Sequence, residues 1–276
     1  MAPILASAFD RANIACRTAR TPQNDKRLAS AKIELNHKVH VLTRKEDLDS
    51  VRVAGKVVVV IDVLFATTTM VAALAHGALE IIPVLDEAAA RAEDLRRGAG
   101  SCVLAGELYA ETLPGFVHPA PLALIEHGIK GRTVVYSTTN GTVAMSLASG
   151  ARRIYCGALI NATRVVEHIT REHAGETVLL VCSGSGGNFN FEDFYGAGCF
   201  VERFAERLGP AGDISDAARA ARTVYRNSPL PQALLECRLG RMMTARGLKH
   251  EVEFSCRIDA FPVVPVLEDG RLRLLP

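Results

Sequence analysis

The sequence predicts an α/β fold, in which helices cover both sides of a largely parallel sheet. Three stretches share the same order of features: an apolar strand, a loop rich in hydroxyl side chains or glycine, and a helix. They span residues 57–78, 131–149 and 177–208, and a weaker copy covers residues 152–169. Strands that alternate with helices in this way are typical of sheets covered on both faces.

The first half of the chain alternates short strands with helices. The unbroken run of Val and Ile within residues 56–63 is typical of a strand buried on both faces. Gly77 is suited to end the helix that follows, and Asp86 is suited to cap the next one. The predicted elements are a strand at 38–42, a turn or helix at 45–53, a strand at 56–63, a helix at 67–77, a strand at 81–85 and a helix at 86–97.

The second half contains the remaining copies of the pattern, between an irregular segment and a mixed tail. The irregular segment, residues 106–116, carries both Pro and Gly and follows a predicted strand. The elements expected outside the repeated pattern are a strand at 102–105, a helix at 121–127, helices near 231–235 and 240–244, and strands near 256–258 and 263–267.

Composition limits the class of protein. The chain has 276 residues, of which 49% are hydrophobic and 22% charged, and this suits a globular domain with a buried core. A formal net charge of +2 does not indicate a nucleic-acid partner, and no apolar run is long enough to predict a membrane span. The seven cysteines are scattered without a CxxC pair, which favours a reducing, cytoplasmic compartment over a zinc site.

Residues 1–35 differ in composition from the rest of the chain. Basic and small residues alternate there without a helical or strand period, so we predict a leader or flexible arm. A transit peptide is the alternative, although Asp10 and Asp25 interrupt its expected charge pattern. We expect residues 36–276 to form one α/β domain.

Three polar loops follow predicted strands and precede helices. Ligands in open α/β sheets bind outside the carboxyl ends of the strands, where these loops would meet. Free backbone N–H groups, hydroxyls and close-approaching glycines would together form a cradle for an anion. Taken singly, each loop can equally be a set of caps and turns. The loops contain Asp62 with Thr67, Thr68 and Thr69; Ser137 with Thr138, Thr139, Asn140 and Gly141; and Ser183 with Gly184, Ser185, Gly186, Gly187 and Asn188.

Carboxylates accompany these loops at Asp62, Glu107, Glu192 and Asp193. Acids beside an anion site require a cation, and Mg²⁺ binds carboxylate and phosphate oxygens together. One of the acids can also serve as nucleophile or general base in phosphoryl transfer. The alternative for Glu192 and Asp193 is a structural one, because acids are favoured in the first turn of a helix.

Several motifs in the same order resemble the 2-phosphosulfolactate phosphatase family, the Mg²⁺-dependent enzymes of coenzyme M biosynthesis. The resemblance covers about residues 38–267 and includes "VVIDVLFATTTMVAALAHGA", "AGELYAETLPGF", "YSTTNGTVAM", "CGALINAT", "CSGSGGNFNFEDFYGAG" and "CRIDAFPVVPV". It implies a three-layer α/β/α fold with a mixed, largely parallel sheet, a Mg²⁺ cofactor and a homodimer. The implied reaction is hydrolysis of 2-phosphosulfolactate to sulfolactate and phosphate.

The resemblance also implies roles for individual residues. Asp62, Glu107 and Asp193 match acids of the family motifs, and we expect them to be both catalytic and metal-binding. The residues expected to bind substrate are Phe65, Thr67, Thr68, Thr69, Thr138, Thr139, Asn140, Gly141, Ser183, Gly184 and Asn188.

Three departures from the family pattern affect the expected substrate. The family has Arg at the positions of Phe65 and Leu108, and an acid at the position of Val117. Neither Phe nor Leu can replace the bidentate hydrogen bonds of a guanidinium. We therefore expect an altered substrate, a small phosphoester that is anionic or less charged than phosphosulfolactate. The alternatives are a non-catalytic small-molecule-binding protein, or transfer or lyase chemistry in the same pocket.

Overall fold

A mixed sheet of ten strands organises the part of the chain that the structure describes. This computed structural model describes residues 38–276 apart from 50, 52, 210 and 211, so the predicted leader at 1–35 lies outside the described residues. The strands are β1 (Val39–Leu42), β2 (Val57–Ile61), β3 (Glu80–Val84), β4 (Val103–Leu108), β5 (Glu111–Thr112), β6 (Thr133–Ser137), β7 (Arg153–Gly157), β8 (Val178–Cys182), β9 (Pro265–Glu268) and β10 (Arg271–Leu274).

The strand order divides the sheet into two parallel blocks. The order is β1-β8-β2-β7-β9-β10-β3-β6-β4-β5. Strands β1, β8, β2 and β7 pair in parallel, and so do β3, β6 and β4. The hairpin β9–β10 lies between the blocks and pairs antiparallel to β7 on one side and β3 on the other. The predicted mixed, largely parallel α/β fold is therefore confirmed.

Helices pack around this sheet and against each other. They are α1 (Ala66–Ala75), α2 (Glu87–Arg97), α3 (Pro121–Glu126), α4 (Gly141–Leu147), α5 (Ala162–Glu172), α6 (Phe191–Leu208), α7 (Asp216–Asn227), α8 (Gln232–Leu235), α9 (Arg238–Ala245) and α10 (Lys249–Ser255). In the described part of the chain, none of the helices combines the length and the apolar character that a membrane crossing needs.

Strand β2 is a central, fully buried strand. Its sequence, VVVVI, is β-branched throughout, and all five residues are inaccessible to solvent. β-Branched side chains suit a pleated surface that is covered on both faces. Val59 pairs with Tyr155 of β7 on one side and with Leu180 of β8 on the other. The strand ends at Ile61, so Asp62 is the first residue beyond its carboxyl end.

Helix α4 brings the two parallel blocks together at the carboxyl ends of their strands. It follows β6 in one block, but it packs against both β3 and β2. Gly141 makes this approach possible, since a Cβ at this position would lie 2.5 Å from Ala66 Cβ. The loops after β2 and β6 therefore meet although their strands are not neighbours in the sheet.

Two predictions for the sequence outside the repeated pattern were wrong in detail. The strand expected near 256–258 is a turn that continues α10, because Arg257 N–H donates to Phe254 O. The segment expected to be irregular at 106–116 contains the end of β4 and the short strand β5, which pair as a hairpin.

Candidate active site

The turn between β2 and α1 is held by its own threonines. Thr67 Oγ1 donates to Asp62 O and accepts from Asp62 N–H, both at 2.9 Å. Thr68 Oγ1 donates to Val63 O at 2.8 Å. Thr69 Oγ1 donates at 2.9 Å to the carbonyl oxygen of Pro119. All three threonines are fully buried, so they stabilise this turn, and their contact with a substrate stays a prediction.

Phe65 is part of the hydrophobic core. It is 7% exposed and belongs to the same buried cluster as Val63 and Leu64. Leu108, the other position where the family has Arg, is 50% exposed beside Glu107 in β4. The two positions where the family resemblance implies Arg therefore lie in different environments. Of these two, Leu108 alone presents its side chain to solvent.

Glu107 binds the loop that follows β6. Its Oε1 accepts from Thr139 N–H at 2.9 Å and from Thr139 Oγ1 at 3.0 Å. Its Oε2 accepts from Ala110 N–H at 2.7 Å. Tyr109 and Ala110 adopt left-handed conformations, with φ of 53° and 62°, and so turn the chain back toward the Glu107 carboxylate. The hairpin β4–β5 thus holds Glu107 at the carboxyl edge of the sheet.

The loop after β6 lies against Asp62. An added Cβ at Gly141 would be 2.9 Å from Asp62 Oδ2, so glycine lets the backbone approach this carboxylate closely. Asn140 Nδ2 donates to Thr139 Oγ1 at 3.2 Å. The hydroxyl of Thr138 is buried, and no hydrogen-bond partner for it lies in the part of the chain that the structure describes.

Asp193, in the first turn of α6, joins the loops after β2 and β8. Its Oδ1 accepts from Val63 N–H and its Oδ2 accepts from Gly184 N–H, both at 3.0 Å. The side chain is fully buried. Burial, then the charges of Asp62 and Glu192, raise the pKa of Asp193 well above its usual range. Both carboxylate oxygens are used by the backbone, so Asp193 positions the two loops.

The loop after β8 depends on glycine at position 184 for its tight turn. Gly184 has a φ of +61°, and a Cβ there would lie 2.5 Å from Asn188 O, so only glycine fits without strain. Asn188 Nδ2 donates to Ser185 O and Gly186 O within the same loop. Ser183 is fully buried, and within residues 38–276 as described its hydroxyl has no hydrogen-bond partner.

Lys45 is a buried cation that the sequence analysis missed. It is 5% exposed and lies in a short 3-10 turn after β1. Its Nζ donates to Asn140 Oδ1 at 3.0 Å and to Ser183 O at 3.1 Å, and it pairs with Glu46 at 3.1 Å. Lys45 therefore connects the loops that follow β6 and β8.

The pKa of Asp62 reflects its burial and the closeness of the other acids. Burial raises its pKa to about 7, with further contributions from the charges of Glu192 and Glu107. The N–H of Ala66 and the charge of Lys45 act in the opposite direction. An acid in such a place costs free energy when it ionises, unless a cation joins the site.

Glu192 completes the group of acids. Burial raises its pKa, and the side chain is 2% exposed. Its Oε1 has no hydrogen-bond partner among the described residues. Buried polar atoms without a partner are rare in native proteins and often mark a ligand or ion site. Glu192 was among the four carboxylates of the sequence analysis but not among the expected metal-binding residues, yet it has the free carboxylate oxygen.

The predicted residues therefore converge. Lys45 bonds the loops of Asn140 and Ser183, and the Asn140 loop lies on Asp62. Among the described residues, no group of three or more His, Cys, Asp and Glu side chains is arranged to hold a metal ion. The arrangement instead offers an acidic cluster with unpartnered hydroxyls and one buried ammonium group.

Comparison with known proteins assigns the family. A sequence model described as 2-phosphosulpholactate phosphatase matches residues 42–270. The chain belongs to this family. It is 34% identical over 227 residues to a protein named probable 2-phosphosulfolactate phosphatase from Symbiobacterium thermophilum, with 80% of this chain and 95% of the relative covered. The predicted family resemblance is confirmed.

Other members of the 2-phosphosulfolactate phosphatase family match over a similar span. A protein of the same name from Carboxydothermus hydrogenoformans is 34% identical over 238 residues, covering 85% of this chain and 96% of its own. One from Deinococcus radiodurans is 36% identical over 219 residues, covering 78% of this chain and 88% of its own. The region that the family model matches, residues 42–270, includes β2, β4 and β8, after or within which Asp62, Glu107 and the Ser183 loop lie.

Proposed function

We propose that the protein is a phosphatase that hydrolyses a small phosphomonoester with the help of Mg²⁺. One observation carries the proposal: Asp62, Glu107 and Glu192 lie close enough to raise the pKa of Asp62, beside loops that present unpartnered hydroxyls. The names of the relatives support the same reaction class, since each is a probable 2-phosphosulfolactate phosphatase.

The oxygen donors of these acids suit Mg²⁺ by their chemistry, although no three of the described acids are arranged around one point. Mg²⁺ binds oxygen ligands and is usually held by one or two carboxylates, with waters and substrate phosphate completing its shell. Asp62 and the free oxygen of Glu192 are the proposed donors, while both oxygens of Glu107 accept backbone N–H groups. In this proposal Asp193 orients the loops rather than binding the ion, because both of its oxygens accept backbone N–H groups. The ion would neutralise the clustered charge and polarise a phosphoryl oxygen.

The residues of the chain itself would bind and orient the ester. Thr138 Oγ1 and Ser183 Oγ are buried donors without partners, and they suit phosphate oxygens. Lys45 holds the Asn140 and Ser183 loops at a fixed separation. One of the acids that the sequence analysis expects to be catalytic, Asp62, Glu107 or Asp193, would act as nucleophile or general base.

Phosphate release tests the proposal directly. Purified protein is assayed on a panel of small phosphoesters that includes 2-phosphosulfolactate, with Mg²⁺ or with EDTA. Asp62→Asn is expected to lower release by about a hundredfold or more, as loss of a catalytic acid commonly does. Asp216→Asn, at an exposed position on α7, is the matched control and should behave as wild type. No release above background from any ester would refute the phosphatase proposal.

A separate measurement tests the metal without activity. Mg²⁺ that binds only the folded protein raises the melting temperature according to its concentration and affinity. We expect this rise in wild type and in Asp216→Asn, and a much smaller rise in Asp62→Asn and Glu192→Gln. Equal shifts in all four proteins would place the ion elsewhere.

The substrate is proposed to differ from phosphosulfolactate. Leu108 is exposed beside Glu107, where the family has Arg, so a guanidinium that would bind a second anionic group is missing. We expect Leu108→Arg to lower KM for 2-phosphosulfolactate, and Leu108→Gln, which adds no charge, to leave it unchanged. An unchanged KM in Leu108→Arg would show that this position does not face the substrate.

The assembly and compartment remain proposals as well. A homodimer follows from the family resemblance, and analytical ultracentrifugation would test it by the sedimenting mass. A cytoplasmic location is supported by the free cysteines at 102, 156, 182, 199, 237 and 256 among the described residues. Localisation of the tagged full chain by cell fractionation would test the compartment.

A further inference from the structure

A cavity of about 530 Å³ lies away from the acids and is lined by arginines. Arg96 and Arg97 come from the end of α2, Arg132 from the segment before β6, and Arg271 from the start of β10. The hydroxyls of Ser101 and Thr133 also line it. Three different parts of the fold therefore direct guanidinium-bearing residues to one cavity.

The cavity lies at the amino ends of β3, β4 and β6, whereas the candidate active site lies at the carboxyl ends of the strands. Leu79, Cys102 and Arg132 line it, and these residues directly precede or adjoin the amino ends of β3, β4 and β6. Glu107 and Thr138 lie near the other ends of β4 and β6. Because these three strands are parallel, the two sites are separated by the length of the strands.

The carboxylates near this cavity do not neutralise all of the positive charge of its arginines. Glu80 pairs with Arg97 at 2.8 Å and with Arg271 at 3.8 Å, and Arg273 also binds it. Glu93 pairs with Arg96 at 2.6 Å and with Arg97 at 2.7 Å. Asp94 accepts from the N–H groups of Gly100 and Cys102. Four guanidiniums thus share two carboxylates, Arg132 has no ion pair among the described residues, and Asp94 is bound by backbone N–H groups, so the five arginines outnumber the three acids by two.

Arg132 has the weakest set of partners in this group. Within the described residues, its guanidinium has no carboxylate at ion-pair distance, and its one hydrogen bond reaches Cys102 O at 3.4 Å. The charges of Arg96 and Arg97 also stabilise the end of α2, where helix carbonyls point outward. That role does not account for Arg132 and Arg271, which arrive from other elements.

We propose that this cavity is a second ligand site, which binds a small anion bearing one or more phosphoryl groups. Guanidinium groups bind phosphate oxygens in bidentate pairs, and an anion of this class would use the donors of Arg132 and Arg271 together with the Ser101 hydroxyl. The volume accommodates a diphosphate or a phosphorylated metabolite. The site is independent of the proposed phosphatase reaction.

Calorimetric titration with inorganic pyrophosphate tests this site. The titration is made in EDTA at low salt, so that Mg²⁺ does not sequester the probe. Arg132→Ala and Arg271→Ala are each expected to weaken binding by about tenfold or more, the loss typical of one charged hydrogen-bond donor. Arg132→Lys, which keeps the charge but loses the bidentate guanidinium group, should give an intermediate affinity. Arg219→Ala, at an exposed position on α7, should bind as wild type does.

Two further arms keep the result interpretable. Asp62→Asn should bind pyrophosphate as wild type does, which separates this cavity from the candidate active site. Melting curves identify any variant that has lost its fold, and Arg132→Lys then supplies the comparison. Absence of binding at about 1 mM probe, or the same affinity in Arg132→Ala, Arg132→Lys and wild type, would overturn the proposal. Loss of binding in Asp62→Asn alone would also overturn it.

Discussion

Replacing Asp62 with asparagine is expected to stabilise the folded protein while it removes phosphatase activity. Asp62 is 7% exposed, and burial together with the charges of Glu192 and Glu107 raises its pKa from 3.8 to about 7. Ionisation of Asp62 in the folded state therefore works against folding when no cation is bound. Asparagine has nearly the same shape and keeps an acceptor for Ala66 N–H, but it carries no charge.

The magnitude follows from the change in pKa. Each tenfold change in an acid constant corresponds to about 1.4 kcal/mol, so a rise from 3.8 to about 7 amounts to roughly 4 kcal/mol. The raised pKa means that the folded state holds its proton longer than the unfolded state does. Its contribution to stability is therefore complete below pH 4 and is lost as the pH rises toward 7. Wild type and Asp62→Asn should differ little at pH 4 and by about 2–4 kcal/mol at pH 8.

Urea denaturation in EDTA at these two pH values measures the difference. The free energy of unfolding of Asp62→Asn should exceed that of wild type at pH 8, with an unchanged urea slope. Asp216→Asn, at an exposed position, controls for the loss of one negative charge from the whole protein. An Asp62→Asn protein that is no more stable than wild type at pH 8 would refute the view that these acids crowd one another.

Three further predictions concern the supports of the site and the packing of α6. Lys45→Met, which leaves the acceptors of two loops unpaired, should lower the free energy of unfolding by about 2–4 kcal/mol in urea melts, whereas Lys45→Arg should retain more than half of that stability. Glu202 bridges Arg222 and Arg226, chiefly Arg226, and these hold its pKa at about 2; its stabilisation is present above pH 4.5 and is lost as the pH falls toward 2. Glu202→Gln should therefore cost about 1–2 kcal/mol at pH 7 and almost nothing at pH 2, and an equal cost at both pH values would contradict this. Gly198→Ala would place a Cβ 2.2 Å from the Ala221 carbonyl oxygen, so its melting temperature should fall by about 5 °C or more, and an unchanged melting temperature would argue against this close packing of α6 on α7.

The features that sequence predicted well are local ones. An unbroken apolar run followed by Asp62 is enough to predict a buried strand with an acid at its carboxyl end, because strand burial and chain direction fix where that acid lies. The Asn140 and Ser183 loops could be placed at the same edge by the same reasoning. Their convergence with Asp62 was expected, and the structure brings them together.

The features that sequence did not predict depend on contacts between distant segments. Lys45 lies within "TRKED", a composition typical of an exposed turn, and only the fold shows that it is buried between two loops. The hydroxyls of Thr67, Thr68 and Thr69 look like ligand donors in sequence, yet nearby backbone carbonyls occupy them. The arginines around the second cavity come from residues 96–271, so no local pattern could have indicated it.

The hairpin β9–β10 has a consequence for how the molecule can assemble. Among the described residues, every other strand precedes it in sequence, yet it occupies the middle of the sheet and joins the block that carries Asp62 to the block that carries Glu107. During synthesis, the two blocks have no shared hydrogen-bonded ladder until residues 265–274 emerge from the ribosome. Until then, β7 in one block and β3 in the other are edge strands with unpaired backbone groups, and such edges can pair with other chains. The two blocks therefore share a hydrogen-bonded ladder, and cover these inner edges, only after the β9–β10 hairpin has been synthesised.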